Sequence, residues 1–464
     1  MKLPSARKFW LLLAGFAVLE ILSWLAYTNM ATEQGVAIAV LIVLLIVAWK
    51  KPTWLAYASI AELVVGSKGY LIFLTMGGAK VSLRMMLFVF VLGIALPHII
   101  RQWSSLQKTI LSRSYIFFIL WLVIGVLFGI YYRHPFGTIY SDANAFIYVA
   151  LLPSWWILLR RDPDWKTTTI AILLAGATMI GFKSWLMVLL FGRDLSFLHQ
   201  LYTWVRNTGV GEITLINNNV YRVFFQSQIY TVLAFLFSLV IWATQRPARW
   251  WIIPVTFSAL GVYISLSRSF WLGVIVALLV FIVLLLKQRA WKKIARLWIL
   301  LPIGIFSWAM MIWAISFPAF SLHGQANAVV SRFNGTGSAS AATARRNQIK
   351  PLFSAIAQHP VLGSGLGKTV TYFSTDPTIH GNRTTTAFEL GYLDLWLKLG
   401  LVGVTLYAWW IFGLWKKFAQ TIWGMPFIIA GAALVVIHLT SPYLNHPLGL
   451  GWLMLTSLFA YDAS

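Results

Sequence analysis

Arg268 stands in the middle of an apolar stretch, WWIIPVTFSALGVYISLSRSFWLGVIVALLVFIVLLL, flanked by Ser265, Ser267 and Ser269. A guanidinium between two long apolar runs is costly unless it faces water, an anion or the interior of a helix bundle. Its planar fork can engage two phosphate oxygens at once. The plainer reading is a hairpin turn whose Arg snorkels to the headgroups; three serines able to bond the Arg or a ligand tip the balance toward binding. Arg222 repeats the theme in NNNVYRVFFQSQIY, at the expected start of an apolar helix, with Gln226 and Gln228 one or two turns deeper. Either Arg222 holds an anion while the amides bind sugar hydroxyls, or the segment is an interfacial cap with an aromatic belt.

A third group lies in TARRNQIKPLFSAIAQHPVLGSGLG. Arg345, Arg346 and Lys350 share an expected amphipathic helix over Thr343–Gln358, and the i, i+4 spacing sets Arg346 and Lys350 on one face. Gly363, Gly365 and Gly367 permit tight turns or close backbone approach. No strand precedes them and no GKS or GKT ends them, so a nucleotide P-loop is rejected. His359, before Pro360, reads as a cap rather than a catalyst. In FELGYLDLWLKLGLVG, Glu389 opens an apolar run and is suited to act as a general base. His380, a short way upstream, is the competing base. Asp394 and Lys398, four apart, are expected to pair with each other. Neither His-x-x-x-His nor a carboxylate cluster is present, so no metal site is expected and no cofactor is called for.

The elements that must position these groups are membrane helices. Of 464 residues, 59% are apolar and 10% charged, and the mean hydropathy is +0.78. No ordinary soluble domain has that profile. Apolar runs near 9–27, 36–49, 53–78, 85–100, 115–132, 143–159, 168–192, 223–244, 251–266, 270–286, 297–317, 390–414, 425–441 and 447–461 predict an all-α polytopic fold of about fourteen spans. In the run 53–78, Gly66-Ser-Lys-Gly69 breaks a helix or marks a re-entrant turn. The first run, although preceded by basic residues, is long and has no clear cleavage site, and reads as an uncleaved span. The whole of 1–464 reads as a single integral membrane domain, with outer loops at 193–222 and 318–389. The second, larger loop precedes the last three spans.

Thirty-six Lys and Arg against 12 Asp and Glu give a net charge of +24. Lys2, Arg7 and Lys8, Lys50–Lys51, Arg101–Arg113, Arg160–Lys166, Arg246–Arg249, Lys287–Arg296 and Lys416–Lys417 mark the inner face. Arg206, Arg222, Arg268, Arg332, Arg345, Arg346 and Arg383 fall on the other side, which points to an anionic ligand, phosphate first. Nucleic acid is a poor partner for a chain buried in lipid. Cysteine is absent, which excludes disulfides and thiolate chemistry.

In this order the segments RVFFQSQ, SLSRSFWLG, R-x-x-Q-I…HPVLGSGLG, ELGYLDLWLKLGLVG and YLNHPLGLG resemble the O-antigen ligase/polymerase superfamily of bacterial envelope proteins, over about residues 200–461. The resemblance implies a GT-C-type glycosyltransferase of the bacterial inner membrane with its site facing the periplasm. It also implies an undecaprenyl diphosphate-linked glycan as donor and no metal. Arg222, Arg268, Arg345 and Arg346 would bind the diphosphate, and Gln226, Gln228 and Tyr392 the glycan. Many members carry His-Asn-x-Tyr-Leu where this chain has Glu389-Leu-Gly-Tyr-Leu, so either Glu389 replaces the imidazole or His380 serves. That departure favours a polymerase, with a lipid-linked glycan acceptor, membrane lipids and a chain-length regulator as partners, over a ligase acting on lipid A core or protein. The rival from another class is a flippase for the same glycans, which calls for polar groups on both sides of the midplane and commonly an internal repeat. No repeat is visible.

Overall fold

The computed structural model describes residues 2–193, 195–217, 220–317, 339–375, 381–419, 421 and 423–462. His380 and Arg332, both singled out above, lie outside the described residues. The helices are α1 (Ala6–Tyr27), α2 (Met30–Lys50), α3 (Thr53–Val65), α4 (Leu83–Arg101), α5 (Trp103–Lys108), α6 (Arg113–Tyr131) and α7 (Phe136–Ile147). They continue with α8 (Leu152–Leu159), α9 (Trp165–Phe191), α10 (Leu198–Asn207), α11 (Ile229–Gln245), α12 (Ile252–Ile264) and α13 (Arg268–Lys287). The last are α14 (Trp291–Ala295), α15 (Leu300–Ser316), α16 (Ala339–Ile356), α17 (Gly391–Phe418), α18 (Gly424–Ile437) and α19 (Pro447–Tyr461). Ten helical segments are long and apolar enough to cross a membrane, so the chain is a multi-pass membrane protein. The other four expected runs are occupied by shorter apolar helices, Thr53–Val65, Arg249–Ile264, Gly424–Ile437 and Pro447–Tyr461.

Two sequence expectations need correction. The run 53–78 is not one span: α3 ends at Gly66, and residues 73–82 form an antiparallel hairpin of β1 (Phe73–Met76) and β2 (Ala79–Ser82). The apolar letters LIFLTM fill a strand, and Gly77 and Gly78, both at positive φ, make its turn. Nor does the span expected at 223–244 begin at Arg222. That residue lies on β4 (Val220–Phe225), paired with β3 (Gly211–Asn217), and the regular helix starts at Ile229. VYRVFF alternates its side chains as a half-buried strand does. A third hairpin, β5 (Val370–Ser374) with β6 (Gly381–Thr385), lies in the second expected loop. That loop also holds α16, as the amphipathic pattern predicted, starting four residues earlier.

The residues group into two compact units. The first comprises 1–101, 154–330 and 425–433. At its centre α9 is buried on nearly every side, packed by α1, α3, α11, α12 and α15. Small residues allow this. A Cβ on Gly181 would run into the Phe257 carbonyl, so α9 and α12 meet backbone to backbone. Its buried charges are paired: Arg84 donates to both Glu62 oxygens, at 2.8 and 3.2 Å, and to the Ser67 carbonyl, and Lys183 bonds Glu20.

The second unit comprises 102–153, 331–424 and 434–464. Here α17 packs on α6, α16 and α19, with the Phe118 and Tyr407 rings stacked at 4.5 Å. α17 is broken at Gly400, which has φ 67° and ψ −179°, a conformation essentially confined to glycine. The 360–366 loop fills the break: Leu401 N and Val402 N donate to the Pro360 and Val361 carbonyls, and Ser364 N and Gly365 N donate to those of Leu397 and Lys398.

Candidate functional site

In the first unit, the turn between α12 and α13 is Ser265-Leu266-Ser267, with Leu266 at φ 47°. Ser265 is fully buried. Its Oγ donates to the Val262 carbonyl and accepts from Ser267 N, which fixes the turn. Arg268 is then the first residue of α13, exposed at that helix's N-terminus beside the Ser267–Ser269 hydroxyl pair at 2.9 Å. Unpaired N–H groups at such an end favour negative charge.

Strand β4 brings Arg222 to the same turn: its Nε donates to the Ser265 carbonyl at 3.1 Å, and its guanidinium lies 4.9 Å from the Phe224 ring centroid. Phe224 in turn meets Phe270 of α13 at 5.8 Å. The two arginines predicted to bind an anion therefore belong to one local assembly of hairpin and turn. Gln228 is used differently. It is fully buried, donates to Ser184 Oγ at 2.7 Å and accepts from Phe225 N, so it anchors the end of the hairpin. Gln226 remains half-buried.

In the second unit, Glu389 is gripped by one face of α16. Its carboxylate Oε2 lies 2.6 Å from Arg345 Nε, and its backbone N–H donates to Gln348 Oε1 at 3.3 Å. The Arg345 N–H is not aligned on that oxygen, so the contact is an ion pair rather than a hydrogen bond. Positions 345 and 348 are i, i+3 and project together. Glu389 stays 45% exposed by side chain, and Arg346 and Lys350 are exposed beside it in sequence. It sits in the loop two residues before α17 rather than inside the helix.

Behind it lies a buried ionic cluster of which the sequence revealed only half. The expected Asp394–Lys398 pair forms at 2.8 Å, but Lys398 also donates to Asp142 of α7 at 2.8 Å. Asp142 accepts from Gly367 N, and Asn445 donates to Asp394 at 2.7 Å. The cluster thus ties α7, the 363–367 loop, α17 and the turn before α19 together, immediately under Glu389. Asp142 was legible as a lone carboxylate in an apolar run, which needs a partner. Nothing local named Lys398 as that partner.

Gly363, Gly365 and Gly367 all have positive φ, and a Cβ on Gly365 would meet the Gly129 backbone. Their amides are bonded within the protein, to His359, Lys398 and Asp142. This loop is a packing device. Tyr392 donates its hydroxyl to the Val435 carbonyl at 2.9 Å and sets its ring edge to face on buried His438.

Residues 253–408 match the O-antigen ligase family model. The resemblance read from the motifs is shown over that stretch, which holds Arg268, Arg345, Arg346 and Glu389. Arg222 and the YLNHPLGLG segment fall outside the O-antigen ligase match, which is narrower than the resemblance read from sequence. No curated protein and no solved structure matches the chain.

Proposed function

We propose that the protein is a transferase of polyprenyl diphosphate-linked glycans of GT-C type, acting at the periplasmic face of the inner membrane as a polymerase of repeat units. The O-antigen ligase family match carries this reading, because it brackets the exposed Arg at the α13 N-terminus and the carboxylate held by α16.

In the reaction, a sugar hydroxyl of the incoming lipid-linked unit attacks the anomeric carbon of the donor. The bond from that carbon to the diphosphate oxygen breaks, and the polyprenyl diphosphate leaves with the electron pair. Arg222 and Arg268 bind the diphosphate and stabilise its charge on departure, a role filled elsewhere by metal ions. Glu389 takes the hydroxyl proton, with His380 as the alternative base. Arg345 orients Glu389, which leaves Arg346 for the anionic donor; Gln226 and Tyr392 line the glycan path. A chain-length regulator is the expected protein partner.

The family's printed description favours a second reading, ligation of the glycan to lipid A core or to protein. Purified protein incubated with one defined polyprenyl diphosphate glycan separates the two. Longer lipid-linked products support the polymerase. Transfer only on adding lipid A core supports the ligase, and movement of intact donor across a vesicle membrane without new products would favour the flippase.

A further inference from the structure

Helices α1 and α9 run parallel and are pinned near both ends. At one end Lys8 Nζ donates to Thr168 Oγ1 at 3.0 Å, and further along Lys183 Nζ bonds Glu20 Oε1. The pair is deeply buried, with side-chain exposures of 3% and 6%. Lys183 also lies 4.4 Å from the Phe225 ring centroid and 5.9 Å from that of Trp204, so its charge is fully accommodated.

Glu20 is not satisfied in the same way. Its second oxygen, Oε2, is buried and has no hydrogen-bond partner among the described residues. One turn further along α1, the Trp24 indole N–H is also buried and unpartnered among them. Residues i and i+4 share a helix face. Both side chains line one cavity of about 240 Å³, whose other walls are apolar and include Leu186, Met187 and Leu190. Ile21, Phe182 and Phe197 in its wall are exposed on the lipid-facing surface.

We propose that this cavity binds a membrane lipid with an apolar chain and a single neutral hydroxyl. The chemistry of the two orphan atoms selects that class. An acceptor and a donor side by side are both satisfied by one hydroxyl, which donates to Glu20 Oε2 and accepts from Trp24 Nε1. The Glu20–Lys183 pair is already neutral as a unit, so an ionic head would bring an uncompensated charge. Glu20 lies seven residues from the α1 end, about 10 Å below it at 1.5 Å per residue. A zwitterionic headgroup drawn that deep would lose its hydration, whereas a lone hydroxyl loses much less. A long-chain alcohol and a diacylglycerol both fit this description.

The test uses full-length protein in phosphatidylcholine nanodiscs and a diazirine-bearing dodecanol as photoprobe, with labelled peptides mapped by mass. Labelling is expected on residues 20–24 or 179–190, and unlabelled dodecanol should compete about 3–10-fold better than dodecane, the increment of one hydrogen-bonded hydroxyl. Diacylglycerol competing as well as dodecanol would identify the lipid source as glyceride, and its failure would leave the single-chain alcohol; either supports the site. Trp24→Phe should bring the two competitors closer together, and Leu186→Trp, which fills the cavity, should abolish labelling. Absence of labelling in these segments, equal competition by dodecane, or an unchanged ratio in Trp24→Phe would each overturn the proposal.

Discussion

Arg268 is exposed at the first position of α13, so its side chain can be changed without opening the core. Lysine keeps the charge and loses the planar fork. A charge-assisted bidentate contact is worth about 1.5–3 kcal/mol, so Arg268→Lys should cut turnover at least tenfold while membrane expression is unchanged. Near-normal turnover would make Arg268 a headgroup anchor. Glu389 permits a cleaner separation of chemistry from folding. Its ion pair with Arg345 is partly exposed and contributes at most about 1 kcal/mol. Glu389→Gln should therefore leave the thermal midpoint nearly unmoved, retain donor binding and lower the rate of chain extension about 10²–10⁴-fold. His380→Ala should be milder; the opposite ranking would give the base to His380. The candidate residues themselves were legible from type and spacing. The Gln348 contact was not, because a buried amide gripping a backbone N–H 41 positions away leaves no local signature.

At the level of elements, the apolar runs read from sequence are all occupied by helices, because a bilayer-length run has few other ways to satisfy its backbone. The hairpins were missed for a related reason. Short apolar runs do not distinguish strand from helix, and β1–β2 and β4 lay within or against runs long enough to read as spans. The break at Gly400 was equally hidden, since LKLGLVG continues a helical pattern without interruption. It makes a sharp prediction. Alanine at 400 would have to adopt φ 67° and would place its Cβ on the Val361 carbonyl and Gly363 amide. Backbone strain alone costs about 1–3 kcal/mol there. Gly400→Ala should lower the midpoint in thermal unfolding clearly, whereas Gly413→Ala, with open space in the same helix, should stabilise slightly or do nothing. Equal effects at the two positions would mean that the loop does not hold the helix broken.

For the molecule as a whole, the basic loops predict which ends of the helices face the cytoplasm. An alkaline-phosphatase fusion within 330–340 should be active and one near Lys416 inactive. The reverse pattern would move Arg268 and Glu389 to the cytoplasmic face and remove the periplasmic reading. What the sequence could not convey at this scale was partnership: Asp142 meets Lys398 across 256 positions, and Glu20 meets Lys183 across 163. The second pairing bears on how the chain is made. The helix carrying Glu20 leaves the ribosome long before the one carrying Lys183. At 5–20 residues per second the wait is on the order of ten to thirty seconds. For that interval a carboxyl destined for the interior must be sheltered by the insertion machinery or by the intervening helices. The arrival of α9 is therefore the event that commits α1 to its final seat.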